Sequence, residues 1–138
     1  MVTKVEREMT RAETLVCIVD DDHSVRRGLG RLIQAFGFKT KAFESAREYL
    51  DAYEKLDVGC LVLDVHLGGM SGIELLEELR SRGVATPVII VTAYHEASSE
   101  RRAQLHGVAG YLRKPFDDNA ILDALSRALG PEGMVETA

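Results

Sequence analysis

Cys60-Leu61-Val62-Leu63-Asp64-Val65-His66 is the stretch on which the reading of this chain turns. Four apolar residues in succession, with none polar on either face, describe a strand buried on both sides, and such strands belong to helix-covered parallel sheets. The run stops at a carboxylate, Asp64, which the strand delivers to the rim of the sheet. Three other stretches share the pattern. Leu15-Val16-Cys17-Ile18-Val19 ends in Asp20-Asp21-Asp22, Val88-Ile89-Ile90-Val91 ends in Thr92, and Tyr111-Leu112-Arg113 leads to Lys114. Parallel neighbours share one carboxyl-terminal rim, where ligands of open α/β sheets bind. These strands would gather carboxylates, a hydroxyl and an ammonium there, groups suited to a hard cation and a phosphoryl group.

The segments between the strands read as helices. Val25, Leu29, Leu32, Ile33 and Phe36 form one apolar stripe that Gly37 ends, while Gly28 and Gly30 lie off it. Ser45-x-x-Glu48 and Ser71-x-x-Glu74 are capping boxes, the second opening a helix anchored by Ile73, Leu76 and Leu79. Glu96 to His106 has only Ala97, Ala103 and Leu105 as apolar anchors, so this helix is expected to dock weakly and to be able to move. Asp117 or Asp118 caps a last helix with the stripe Ile121, Leu122, Leu125 and Leu129, which Gly130-Pro131 terminates. Phe38 to Phe43, interrupted by Lys39 and Lys41, suits an edge strand, because lysines discourage edge-to-edge pairing.

Strands alternating with helices, joined by right-handed crossovers, give an α/β doubly wound fold of the flavodoxin-like kind. With the two less apolar strands at the edges, the five-stranded parallel sheet takes the order 2-1-3-4-5 with helices on both faces. The division expected is a tail over 1–14, one domain over 15–130 and a second tail over 131–138. In the first tail Val2, Val5, Met9 and Ala12 have near-helical spacing, but a frayed segment is the simpler expectation.

With 138 residues and a formal net charge of -5, one domain is the expectation and a broad nucleic-acid footprint is not. Lys4, Glu6, Arg7 and Glu8 occupy the place where a signal peptide would be apolar, and no run reaches membrane-spanning length. A cytoplasmic location follows as an expectation. Cys17 and Cys60 lie inside apolar strands and read as buried, reduced thiols. His23, His66, His95 and His106 lack zinc-ligand spacing, and the pairs Arg26-Arg27 and Arg101-Arg102 read as solvated faces.

If Asp20, Asp21 and Asp64 converge, two unit charges about 5 Å apart repel by roughly 3 kcal/mol at an effective dielectric of 20. A cation must compensate. Lys114 can neutralise one charge, and an all-oxygen site suits Mg²⁺, or Mn²⁺, better than zinc. Asp64, which alone ends the central strand, is placed to attack phosphorus and form an acyl phosphate. Lys114 would pair with one phosphoryl oxygen and Thr92 would donate its hydroxyl to another.

Val19-Asp20-Asp21, Leu63-Asp64, Val91-Thr92-Ala93 and Tyr111-Leu112-Arg113-Lys114-Pro115-Phe116 together resemble the motifs of response-regulator receiver domains, the CheY-like modules of two-component signalling. The resemblance runs from Leu15 to about Leu129. It implies phosphorylation of Asp64 by a sensor histidine kinase or histidine phosphotransfer protein. Asp21 and the backbone carbonyl of His66 would join Asp64 on Mg²⁺, with Asp20 acting mainly through water. It further implies a switch pair, Thr92 and Tyr111, which reshapes the face built from the fourth helix, the fifth strand and the fifth helix, and a cis Lys114-Pro115 peptide. His66 and Tyr94 fall where such domains tune the hydrolysis of the aspartyl phosphate, and bulky Tyr94 is expected to slow it. The protein would then be no enzyme beyond its own phosphorylation and dephosphorylation, acting alone or as the receiver of a longer regulator, with a homodimer as one outcome.

One departure stands out, the loop Leu67-Gly68-Gly69-Met70-Ser71-Gly72 where such domains usually carry a proline, and it is expected to be more mobile for that reason. Two rivals compete with the receiver reading. Asp20-Asp21-Asp22 resembles the nucleophile motif of haloacid-dehalogenase-type phosphatases, but Ser24 departs from it and Asp64 would go unexplained. A pseudo-receiver that only binds partners is disfavoured by the intact acid, threonine and lysine set.

Overall fold

The computed structural model describes residues 10–133, with the side chains of 131–133 left aside. Val2, Val5 and Met9 of the proposed N-terminal stripe, and the last five residues of the C-terminal tail, lie outside the described residues. Five strands form one parallel sheet: β1 (Leu15–Val19), β2 (Lys39–Phe43), β3 (Val58–Asp64), β4 (Val88–Thr92) and β5 (Gly110–Arg113), in the order β2-β1-β3-β4-β5. Between and after them run α1 (His23–Ala35), α2 (Ala46–Ala52), α3 (Gly72–Ser81), α4 (Ala97–Leu105) and α5 (Asp118–Gly133). No described helix is long and apolar enough to cross a membrane.

The central strands explain the order. Val16 to Val19 of β1, Cys60 to Leu63 of β3 and Val88 to Val91 of β4 are fully buried, so each needs a helix layer on both faces. Alternation along the strands sorts the core into two layers. Cys17, Val19, Leu61, Leu63 and Ile90 pack with Tyr49, Leu76 and Leu79 on the α2/α3 side, whereas Val16, Ile18, Val62 and Val91 pack with Leu29, Ile33, Ile121 and Leu125 on the α1/α5 side. By contrast β2 exposes Lys39, Lys41 and Ala42, as an edge strand can. Cys17 and Cys60 are buried and free, and burial pushes both thiols up to about 12, which makes them inert at neutral pH.

Caps fall where the sequence places them. Ser71 and Glu74 make a complete capping box, and Asp117 rather than Asp118 caps α5 by accepting from Ala120 N–H at 2.8 Å. At α2 only half of the box forms: Ser45 accepts from Glu48 N–H at 3.1 Å, but the Glu48 carboxylate turns to Glu44 N–H. Gly130 breaks the last helical run with φ 71°.

Three expectations change. Leu105, read as an anchor of α4, is 78% exposed, and Ala97 is exposed as well, which leaves Ala103 as the one buried residue of that helix. The segment is helical as its spacing predicts, but charged contacts such as Arg102 with Glu77 hold α4 in place of an apolar stripe. Arg26, read as part of a solvated face, turns inward instead. In the segment 1–14, Arg11–Glu13 form a short 3₁₀ turn, Thr14 is buried, and its carbonyl accepts from Lys39 N–H at 3.0 Å.

Candidate functional site

Strand register sets the site. Val19 lies beside Leu63 and Asp64 beside Val91, so the residues that follow β1, β3 and β4 emerge at one rim. Oxygen atoms of Asp20, Asp21 and Asp64 come within 4.8 Å of one another there. Asp20 is 1% exposed and Asp64 6% exposed, while Asp21 faces solvent. With Asp22, Val25, His66, Ala93, Tyr94 and Lys114 they line a cavity of about 380 Å³.

The two buried carboxylates are oriented. Asp20 Oδ1 accepts from Asp22 N–H at 2.9 Å, and its Oδ2 accepts from Lys114 Nζ, also at 2.9 Å. Asp64 Oδ1 accepts from His66 N–H at 3.2 Å, and its Oδ2 lies 3.7 Å from Lys114 Nζ. The ammonium therefore bridges two acids and belongs more to Asp20. Burial, followed by the Asp20 charge, pushes the Asp64 carboxyl up to about 6, against the opposing pull of Lys114 and the His66 amide. A cluster short of positive charge, built wholly of oxygen donors and open on one side, fits a divalent hard cation.

Thr92 is fully buried at the end of β4, and its hydroxyl bonds to Tyr94 rather than to Asp64. Its hydroxyl donates to Tyr94 C=O at 2.9 Å and accepts from Tyr94 N–H at 3.2 Å, a closed local turn. Tyr94 is 69% exposed at the cavity mouth, edge-on to the His66 ring with centroids 5.3 Å apart. Tyr111 is half-buried, its hydroxyl out of water without a partner among the described residues, and the His95 ring stands edge-on to it at 6.4 Å. The Lys114-Pro115 peptide is cis.

Residues 16–126 match the response regulator receiver domain. The chain belongs to this family. The transcriptional regulatory protein FixJ of Azorhizobium caulinodans is 42% identical over 115 residues, covering 83% of this chain and 54% of FixJ. Among solved structures, the response regulator StyR superposes with a TM-score of 0.80 at 39% identity, over 86% of this chain and 60% of that one. The chemotaxis protein CheY4 of Vibrio cholerae superposes with a TM-score of 0.77 at 26% identity, over 84% and 98%. The chain spans about half the length of the curated relatives it matches.

This receiver uses residues that its motifs do not mark. Arg26 Nη1 donates to the Asp20 backbone carbonyl at 2.8 Å and so ties α1 to the acidic turn. A basic residue about one helical turn beyond the N-cap Asp22 was the available signal. Gly72 N–H donates to Val65 C=O at 2.9 Å, and a Cβ on Gly72 would lie 2.0 Å from the Asp64 carbonyl oxygen. Only glycine lets the start of α3 approach the backbone of Asp64 so closely.

Proposed function

We propose that this receiver accepts a phosphoryl group on Asp64 from a phosphohistidine of a sensor histidine kinase or histidine phosphotransfer protein, in the cytoplasm. The observation that carries the reading is the position of Asp64: a buried carboxylate ending the central strand, between two further acids and Lys114, on a cavity large enough for a phosphoryl group. One carboxylate oxygen of Asp64 attacks phosphorus as the phosphorus–nitrogen bond to the donor imidazole breaks, which leaves an acyl phosphate and a free histidine. Asp20, Asp21, Asp64 and the His66 backbone carbonyl are the groups we assign to Mg²⁺, or Mn²⁺, directly or through water. The bound ion supplies charge compensation for the phosphoryl oxygens. Lys114, already between Asp20 and Asp64, pairs with a phosphoryl oxygen.

Thr92 completes the site only by leaving its turn with Tyr94. Its hydroxyl would then donate to the phosphoryl group, and Tyr111, whose buried hydroxyl holds no partner among the described residues, would change place with it. This couples the acidic rim to the face of α4, β5 and α5, and the shallow docking of α4 favours the change. The protein thus works as a phosphoacceptor whose own chemistry is limited to gaining and losing one phosphoryl group. The molecule it addresses, or the output segment it serves, reads the altered face, with a homodimer as one form of that readout. No direct contact of this domain with nucleic acid or membrane is part of the proposal.

Incubation with acetyl phosphate and Mg²⁺, followed by intact mass, tests it. A single hydroxylamine-labile adduct, absent from Asp64→Asn and abolished by chelator, is expected. No adduct under any condition would leave a module that binds partners without phosphorylation.

A further inference from the structure

A second concave site lies away from the acidic rim. Where α1 passes the outer strand β2, His23, Arg26, Arg27, Gly30, Arg31, Gln34, Thr40 and Ala42 line a groove of about 280 Å³. Gly30 keeps its floor open, since a side chain there would project into free space. Arg26 is already engaged with the Asp20 carbonyl, and Glu44 lies 3.8 Å from it. Arg27 and Arg31, by contrast, have no hydrogen bond or ion pair among the described residues, although like charges four apart on a helix repel. In a chain of net charge -5, this is a local concentration of unneutralised guanidinium.

The same two β2 residues that line the groove hold an open sheet edge. Lys39 N–H donates to Thr14 C=O and Phe43 C=O accepts from Asp20 N–H, so the odd-numbered residues of β2 turn their backbone groups toward β1. Alternation turns the N–H and C=O groups of Thr40 and Ala42 outward, where β2 has no neighbouring strand among the described residues. Lys39 and Lys41 are exposed beside this edge, on the face opposite the arginines. Such lysines oppose pairing with a neutral or basic strand and favour an acidic one.

We propose that the outer edge of β2, with the arginine-lined groove beside it, docks an extended acidic segment of a partner protein. The segment adds to the sheet by main-chain hydrogen bonds at Thr40 and Ala42. Its carboxylates alternate between Arg27 and Arg31 on one face and Lys39 and Lys41 on the other. A guanidinium fork suits carboxylate pairing better than an ammonium does, which assigns the tighter contacts to the groove side. This surface is separate from Asp64, and its occupancy does not depend on phosphorylation.

The test is titration of the ¹⁵N-labelled full chain with a synthetic peptide of repeating glutamate-glutamate-valine, which as a strand carries carboxylates on both faces, followed by amide shifts and hydrogen exchange. A lysine-valine peptide and inorganic triphosphate serve as controls. Expected are shifts at residues 27–42, slowed exchange of the Thr40 and Ala42 amides, and an affinity that falls as salt rises. Arg27→Glu with Arg31→Glu, both on the exposed helix face, should weaken binding by about tenfold or more, near 1.4 kcal/mol, without changing the melting temperature. Asp64→Asn should bind as the parent does. Equal binding of the lysine peptide, unprotected Thr40 and Ala42 amides, or triphosphate reproducing every shift would each overturn the strand-addition proposal, the last by reducing the groove to a simple anion site.

Discussion

Asp64 is held in tension at the scale of single residues. Its carboxyl, pushed up to about 6 by burial and by Asp20, binds a proton more tightly in the folded protein than in the unfolded chain. The sign follows directly: below about pH 4 both states are protonated and nothing is lost, and as pH rises through 6 the folded state alone bears the cost of ionisation. Asp64→Asn should therefore stabilise the metal-free protein at pH 7.5 by up to about 3 kcal/mol, the gain vanishing toward pH 4. Urea melts of both proteins in chelator at the two pH values check this, and an equal gain at both would refute it. Tyr94→Ala opens the mouth of the cavity beside His66 and should shorten the lifetime of the aspartyl phosphate, read from decay of the adduct mass. The acids and Thr92 were legible because apolar strands lead into them, and Lys114 because it follows the short fifth strand at the same rim. Arg26 and Gly72 were harder to read, since one acts on a backbone carbonyl, marked only by its place one turn beyond Asp22, and the other acts by lacking a side chain.

The helices are secured by different means. Tyr49 of α2 is fully buried, edge-on to Phe43 at 5.3 Å and stacked on Tyr53 at 5.7 Å, yet its hydroxyl has no partner among the described residues. Tyr49→Phe removes that buried polar atom and keeps the ring, so a stability gain of about 1 kcal/mol is expected, measurable as a rise of a few degrees in Tm. For α4 the attachment is polar. Arg80 of α3 donates to the carbonyls of His106, Val84 and Thr86 at 3.1, 2.9 and 3.0 Å, and Arg102 pairs with Glu77, holding that carboxyl below the usual range. Arg80→Ala should destabilise by about 2–3 kcal/mol and speed amide exchange in α4 and at the start of β4, with β1 and β3 unaffected. Sequence spacing marked α4 as weakly docked but assigned Leu105 the wrong environment, because spacing along a helix does not fix its rotation against a sheet.

Across the whole molecule, the sheet converts sequence order into adjacency. Lys114 reaches Asp20 from 94 positions along the chain because β5, β4, β3 and β1 end at one rim. A ligand that binds only that assembled rim must stabilise the fold, by about 2.7 kcal/mol at a hundredfold excess over its Kd. Mg²⁺ should accordingly raise Tm in the parent protein and not in Asp21→Asn with Asp64→Asn, a comparison open to thermal shift without any phosphodonor. The linear chain determined the strands, their parallel order and the acid-ended rim, because burial on both faces shows as unbroken apolar runs and edge position shows as lysines. Tertiary structure decided what spacing leaves open: which acid Lys114 favours, that Thr92 rests closed on Tyr94, that Arg26 turns inward while Arg27 and Arg31 find no partner among the described residues, and that Leu105 faces water. Those outcomes depend on distances of a few ångströms between distant segments, and local sequence carries no record of them.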